Sequence, residues 1–169
     1  ALADRKDDSQ EPTLILELAR ALSADKRPQE AVELLATLHK KEPANHAATV
    51  ALAQLQLDQG DSAAVRQLLI ESEAYAAGIS DVFRILAQAA GQQDDQAEAQ
   101  YQLANWQLAR GNWPGAIRQL QQALRQGEFS EYNTARLQGR LDSLVATAPK
   151  SVREEMQRDR QDRFPREGS

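Results

Sequence analysis

The chain has 169 residues, a formal net charge of -5 and a sequence pI near 5.1. It is long enough for one medium domain with a hydrophobic core. Interspersed charges leave no basic face for a phosphate backbone, so nucleic acid is not an expected partner. It contains no cysteine, which excludes a disulfide framework, a thiol nucleophile and a Cys-ligated zinc site. No run approaches the roughly 20 apolar residues of a membrane span, and the N-terminus carries no signal-peptide apolar region. Abundant Ala, Leu, Gln, Glu and Arg, with few β-branched or aromatic residues, favour helix throughout.

Residues 1–12 are charged and end at Pro12. They read as a linker or as the end of a preceding helix. The chain begins at Ala1 and its one methionine is Met156, a pattern that suits a processed or excised piece of a longer protein. From Thr13 the period becomes helical, with Leu14, Leu18 and Leu22, joined by Ile15 and Ala19, as one apolar stripe. Asp25 to Pro28 breaks it. A second helix then buries Ala31, Leu34, Leu35 and Leu38 and stops before Pro43. A third runs from about Asn45 to Asp58 with Leu52, Ala53 and Leu55 inward, closed by Gly60. Ser62 is the expected N-cap of a fourth helix that continues through Ala76 to Gly78.

A fifth helix, from about Ser80 to Ala90, presents Phe83, Leu86 and Ala87 on one face and is expected to stop at Gly91. The sixth, from about Asp94 to Ala109, is joined to a seventh by Gly111-Asn112. Gly111 takes a left-handed conformation at little cost and so ends the sixth helix. Pro114 suits the first turn of the seventh. An eighth helix from Ser130 to about Ala146 carries Tyr132, Leu137, Leu141 and Leu144. Beyond Pro149, Ser151 and Glu154 have capping-box spacing. With only Met156 and Phe164 as anchors, the tail at 148–169 reads as a short solvated helix or a disordered segment.

Leu103, Ala104, Gly111, Ala116 and Ala123 sit at the offsets of a tetratricopeptide (TPR) helix pair, whose small residues let two antiparallel helices approach closely. Aligned on the roughly 34-residue period of that family, Leu18-Ala19, Leu52-Ala53 and Leu86-Ala87 fall at equivalent positions. The match anchored on Gly111 comes half a repeat early, so the helix from about Asp94 fits both as the end of one unit and the start of the next. The expected architecture is all-α: a TPR-like α-solenoid of about eight antiparallel helices over residues 13–147.

Few residues suggest chemistry. His39 and His46 are the two histidines, with no HExxH and no carboxylate at zinc-ligand spacing, so no metal site and no cofactor is expected. The pairs Asp7-Asp8, Asp94-Asp95 and Glu154-Glu155 lie in loops or at helix starts, where acidic residues complement the helix dipole. No GxSxG elbow supports nucleophilic hydrolysis. Trp106 and Trp113 flank the Gly111 turn, where large aromatics staple two helices together. The alternative is a partner-binding anchor.

Three stretches of the C-terminal half, Phe83 to Gly91, Gln96 to Ala104 and Arg110 to Leu120, precede a closing helix from Tyr132 to Leu144 with an Ala135-Arg136, Arg140-Leu141 signature. This order resembles the C-terminal TPR domain of BepA-type periplasmic zinc metalloproteases, which combine chaperone and protease roles in outer-membrane protein assembly. The resemblance covers roughly residues 12–147. It implies a periplasmic, non-catalytic module that docks a protein or peptide in a concave groove, together with a protease domain of the same parent chain and outer-membrane assembly proteins. The catalytic HExxH of that family has no counterpart here. In TPR superhelices the first helix of each pair lines the groove, which selects Arg20, Val50, Gln54, Leu57, Arg84, Gln88, Tyr101 and Asn105 as partner-binding candidates. A free-standing adaptor of an envelope or secretion complex is the alternative, and a self-contained enzyme on a helical scaffold a more distant one.

Overall fold

A computed structural model describes residues 11–163. Residues 1–10 of the expected linker, the Asp7-Asp8 pair, and Phe164 to Ser169 lie outside that range. Ten helices and no strand occur among the described residues: α1 (Glu11–Ala24), α2 (Pro28–Lys41), α3 (His46–Asp58), α4 (Ser62–Ile70), α5 (Glu73–Ala76), α6 (Ser80–Gln92), α7 (Gln96–Ala109), α8 (Trp113–Gln126), α9 (Glu131–Thr147) and α10 (Lys150–Arg163). The fold is all-α and TPR-like, with ten helices where the sequence suggests about eight.

The extra helices have local causes. The fourth helix breaks after Ile70, because the Ser72 hydroxyl donates back to the Leu69 carbonyl at 2.7 Å and accepts from Tyr75 N at 3.2 Å. Ser72 thereby restarts the chain as the N-cap of the short α5. The tail forms α10, whose first turn opens from the Pro149 carbonyl, accepting from Arg153 N at 3.1 Å. Ser151 is therefore inside the helix rather than capping it.

Turn chemistry recurs at a fixed interval. Lys26, Gly60 and Asp94 all have positive φ, at 60, 83 and 57 degrees, and each lies 34 residues after the one before. At each, the left-handed residue lets the chain reverse after a helix. Asp61 and Asp95 follow as N-caps, accepting from Ala64 N and Glu98 N at 3.1 Å each. Ser62, the expected cap, is instead the first helical residue of α4, and its hydroxyl donates to Gln92 Oε1. Gly111, at φ 76 degrees, comes half an interval later, and Asn112 caps α8 by accepting from Gly115 N at 3.0 Å. Gly91 does not end α6. It lies inside that helix, which runs to Gln92.

The helices form two compact units that divide between Asp94 and Asp95. In the first, α1 pairs with α2 and α3 with α4, while α6 packs on α3, α4 and α5. Its interior comprises Ala19, Ala31, Leu35 and Leu52 near the start and Leu57, Val65, Leu69, Val82, Ile85 and Leu86 further along. The expected α1 stripe is split. Ile15, Ala19 and Leu22 pack inward, but Leu14 and Leu18 are 66% and 51% exposed. The i, i+4 pair at 14 and 18 is rotated off the face that meets α2 and α3, which a stripe of five apolar positions conceals.

In the second unit α7 pairs with α8, and α9 packs on both. α7 is the first helix of the α7/α8 hairpin. Ala104, Ala116, Ile117, Leu120, Leu137, Leu141 and Leu144 fill the interior. Trp113 and Phe129 pack against that cluster, so Trp113 is a staple. Trp106 is half-buried, and the Arg110 guanidinium lies over its ring at 4.9 Å. α10 rests against α8.

Candidate functional site

The eight groove candidates divide between the units. In the first, the structure brings Gln54, Arg84 and Gln88 together. Arg84, half-buried on α6, donates to Gln54 Oε1 on α3 at 3.3 Å and to Gln88 Oε1 at 3.2 Å, and its Nε reaches Asp81 Oδ1 at 3.3 Å. Gln54 donates in turn to Asp58 Oδ1 at 2.8 Å. The α3/α6 face is thus a network in which the Arg84 charge already has a carboxylate. Arg20 stands apart on α1, exposed and paired with Glu17 at 2.5 Å. Val50 is half-buried against the core. Leu57 cannot contact a partner, because it is 4% exposed and belongs to the interior of the unit. Its position on α3 faces α4 and α6, and packing claims it.

The second unit holds a denser constellation. One face of α7 buries three polar residues in succession: Glu98, Gln102 and Asn105, at 5%, 2% and 6% exposure. Buried polar groups need partners, and these supply one another. Gln102 Nε2 donates to Glu98 Oε1 at 2.8 Å, and Asn105 Nδ2 donates to Gln102 Oε1 at 3.2 Å. The ends of the ladder are closed from α9. Arg136 Nη1 donates to Glu98 Oε2 at 2.5 Å. Arg140 donates to Asn105 Oδ1 through Nε at 3.1 Å and Nη2 at 2.7 Å.

Tyr101, half-buried on α7, completes the surface. The Arg136 guanidinium lies over its ring at 4.1 Å and that of Arg140 at 5.9 Å. Tyr132, one turn before Arg136 on the same helix, is 76% exposed. Burial acts to lower the Arg136 pKa, but the hydrogen bond and charge of Glu98, helped by Tyr101 and Tyr132, raise it above the ordinary guanidinium value. Arg136 therefore stays charged at every working pH.

Tyr101 and Asn105 are thus gathered on one face, but in different roles. Tyr101 is accessible, while Asn105 is enclosed and acts through Arg140. The arginines themselves escaped selection. They lie on α9, outside the helix-pair offsets of a TPR groove, although their i, i+4 spacing in the closing signature marks them as sharing a face.

The remaining polar features serve the fold. His39 Nδ1 is 2.9 Å from Thr49 Oγ1, tying α2 to α3. Asp95 is an N-cap, and Glu154 pairs with Lys150 at 3.7 Å. Among the described residues no three His, Cys, Asp or Glu groups converge as metal ligands. A cleft of about 470 Å³ in the first unit, lined by His39, Pro43, Gln67, Leu68, Glu71 and Glu73, is open to solvent.

Residues 22–78 match the tetratricopeptide repeat family. The matched region runs from the end of α1 through α5, about a third of the chain. TPR repeats mediate protein–protein interaction and are a non-catalytic fold. No curated protein matches the chain.

Proposed function

We propose that this chain is a protein-docking module that presents ordered polar side chains to an extended segment of a partner. The observation that carries the reading is the TPR match at residues 22–78, and the α3/α6 and α7/α9 faces supply the ordered side chains. Both faces are held by hydrogen bonds to neighbouring helices, so little side-chain freedom is lost on contact.

We further propose that the module is the TPR domain of a periplasmic protease-chaperone of the BepA type, docking substrates or outer-membrane assembly proteins. The order of motifs from Phe83 to Leu144 supports this reading. The parent reading frame tests it. An HExxH domain encoded upstream of Ala1 is the expected finding; a frame without one replaces this assignment with the free-standing adaptor. Stoichiometric zinc or hydrolase activity in the purified chain would refute the non-catalytic reading. For the docking surface, Arg84→Glu adds a third carboxylate to the network that already holds Asp81 and Asp58 and should weaken capture of partners from an envelope extract while leaving helical circular dichroism unchanged. Unaltered capture would count against the α3/α6 face.

A further inference from the structure

The two arginines of α9 are held in the same way but are not electrically equivalent. Arg136 meets a buried carboxylate, whereas the hydrogen-bond acceptor of Arg140 is the neutral carboxamide of Asn105. Among the described residues, two guanidinium charges on this face are thus bonded to one carboxylate, although the chain as a whole carries -5. Arg140 is also held from beneath. Asn105 is fixed by Gln102 and Gln102 by Glu98, all three buried, so the guanidinium plane is set by a ladder within α7. Of its five N–H donors, those on Nε and one on Nη2 are used, which leaves the Nη1 edge without a partner among the described residues.

We propose that Arg140, with Arg136 and Tyr101 beside it, is an anchoring subsite for an acidic side chain of an extended partner peptide. The proposal deepens the docking reading and rests on it. A carboxylate approaching the Nη edge meets a fork of N–H groups in the geometry that favours a bidentate pair. The neutral Asn105 orients the fork without discharging it, so the charge is kept for the partner. The adjacent rings of Tyr101 and Tyr132 offer apolar area on which the flanking peptide chain can lie. Two guanidinium groups on an acidic chain do not make a track for a polyanion, which favours a single acidic residue of a peptide over nucleic acid.

The test uses the full 169-residue chain and an array of short immobilised peptides sharing one Ala/Ser/Leu background, with Glu, Gln or Lys at the centre. The expected result is a preference for the Glu-centred set of about tenfold or more over the Gln-centred set, reduced by added salt. Arg140→Gln should remove the preference. Asn105→Asp, which places a carboxylate against Arg140 from within while losing the hydrogen bond to Gln102, should remove it too. Circular dichroism of each variant confirms folding. Peptides bound equally whatever the central residue, or a preference that survives both substitutions, would overturn the subsite while leaving the docking reading standing. No binding to any peptide by the folded protein overturns the docking reading itself. Oligothymidylate held as tightly as the Glu-centred set overturns the proposal in favour of a general polyanion site.

Discussion

The Glu98–Arg136 pair makes the most demanding energetic claim in the molecule, and Glu98→Gln tests it. The substitution keeps the volume of the side chain and an oxygen for Gln102 Nε2, but removes the charge that Arg136 meets at 2.5 Å. Breaking a fully buried ion pair costs about 3–5 kcal/mol, since the remaining charge is left in a poor solvent. Here the Glu98 side chain is 7% exposed but that of Arg136 is 34% exposed, so water recovers part of its solvation. A loss of about 2 kcal/mol is expected, above the roughly 0–1 kcal/mol of an exposed pair. Urea unfolding followed by circular dichroism measures it. The loss should persist in high salt, because a pair shielded from solvent is screened little. A double-mutant cycle with Arg136→Met should show a coupling of at least about 1 kcal/mol. Stability within about 0.5 kcal/mol of the parent, or a coupling near zero, would refute the view that the ladder holds α9 on α7.

Other substitutions separate positions that look alike in the sequence. Gly91→Ala should stabilise by roughly 0.5–1 kcal/mol, since Gly91 is helical and a Cβ there meets nothing within 4 Å. Gly111→Ala should cost about 1–2 kcal/mol for the left-handed backbone alone, also without a steric clash; thermal melts of the two should shift in opposite directions. Leu18→Lys should change stability by no more than about 0.5 kcal/mol, whereas Leu35→Ala, at 1% exposure, should cost about 2–5 kcal/mol. A hydrogen bond from Arg27 holds the exposed Glu30 below the usual carboxylate range. Its small contribution is accordingly complete at neutral pH and is lost as pH falls through the lowered folded-state value. An NMR titration should find Glu30 ionised below the ordinary glutamate range, and Arg27→Met should abolish that lowering.

Helix content, helix pairing and the repeat interval were all legible in the residues. They depend on near neighbours: apolar spacing, a left-handed residue at the turn and an acceptor side chain one position later. The sequence therefore placed Gly111 as a helix end and located the half-interval slip before α7. Gly91 and Ser62 were misassigned because a glycine within a helix and a serine at its first position carry the same local signal as an end and a cap. In the structure Gly91 lies inside α6, which runs on to Gln92, and Ser62 is tied to Gln92 by a hydrogen bond rather than capping its helix.

Composition and periodicity by themselves determined that this protein is all-α, built from TPR-like hairpins, because helix propensity and turn chemistry act within a few residues of the chain. Only the tertiary structure decided which side of each helix is used. Leu14 and Leu18 look like core and face solvent, while Leu57 looks like groove and is core. Glu98, Gln102 and Asn105 are polar enough for any surface, yet they are buried because α9 returns Arg136 and Arg140 to meet them. Those partners are 35 and 38 residues away in the chain, and a polar side chain does not reveal whether water or a distant arginine will satisfy it.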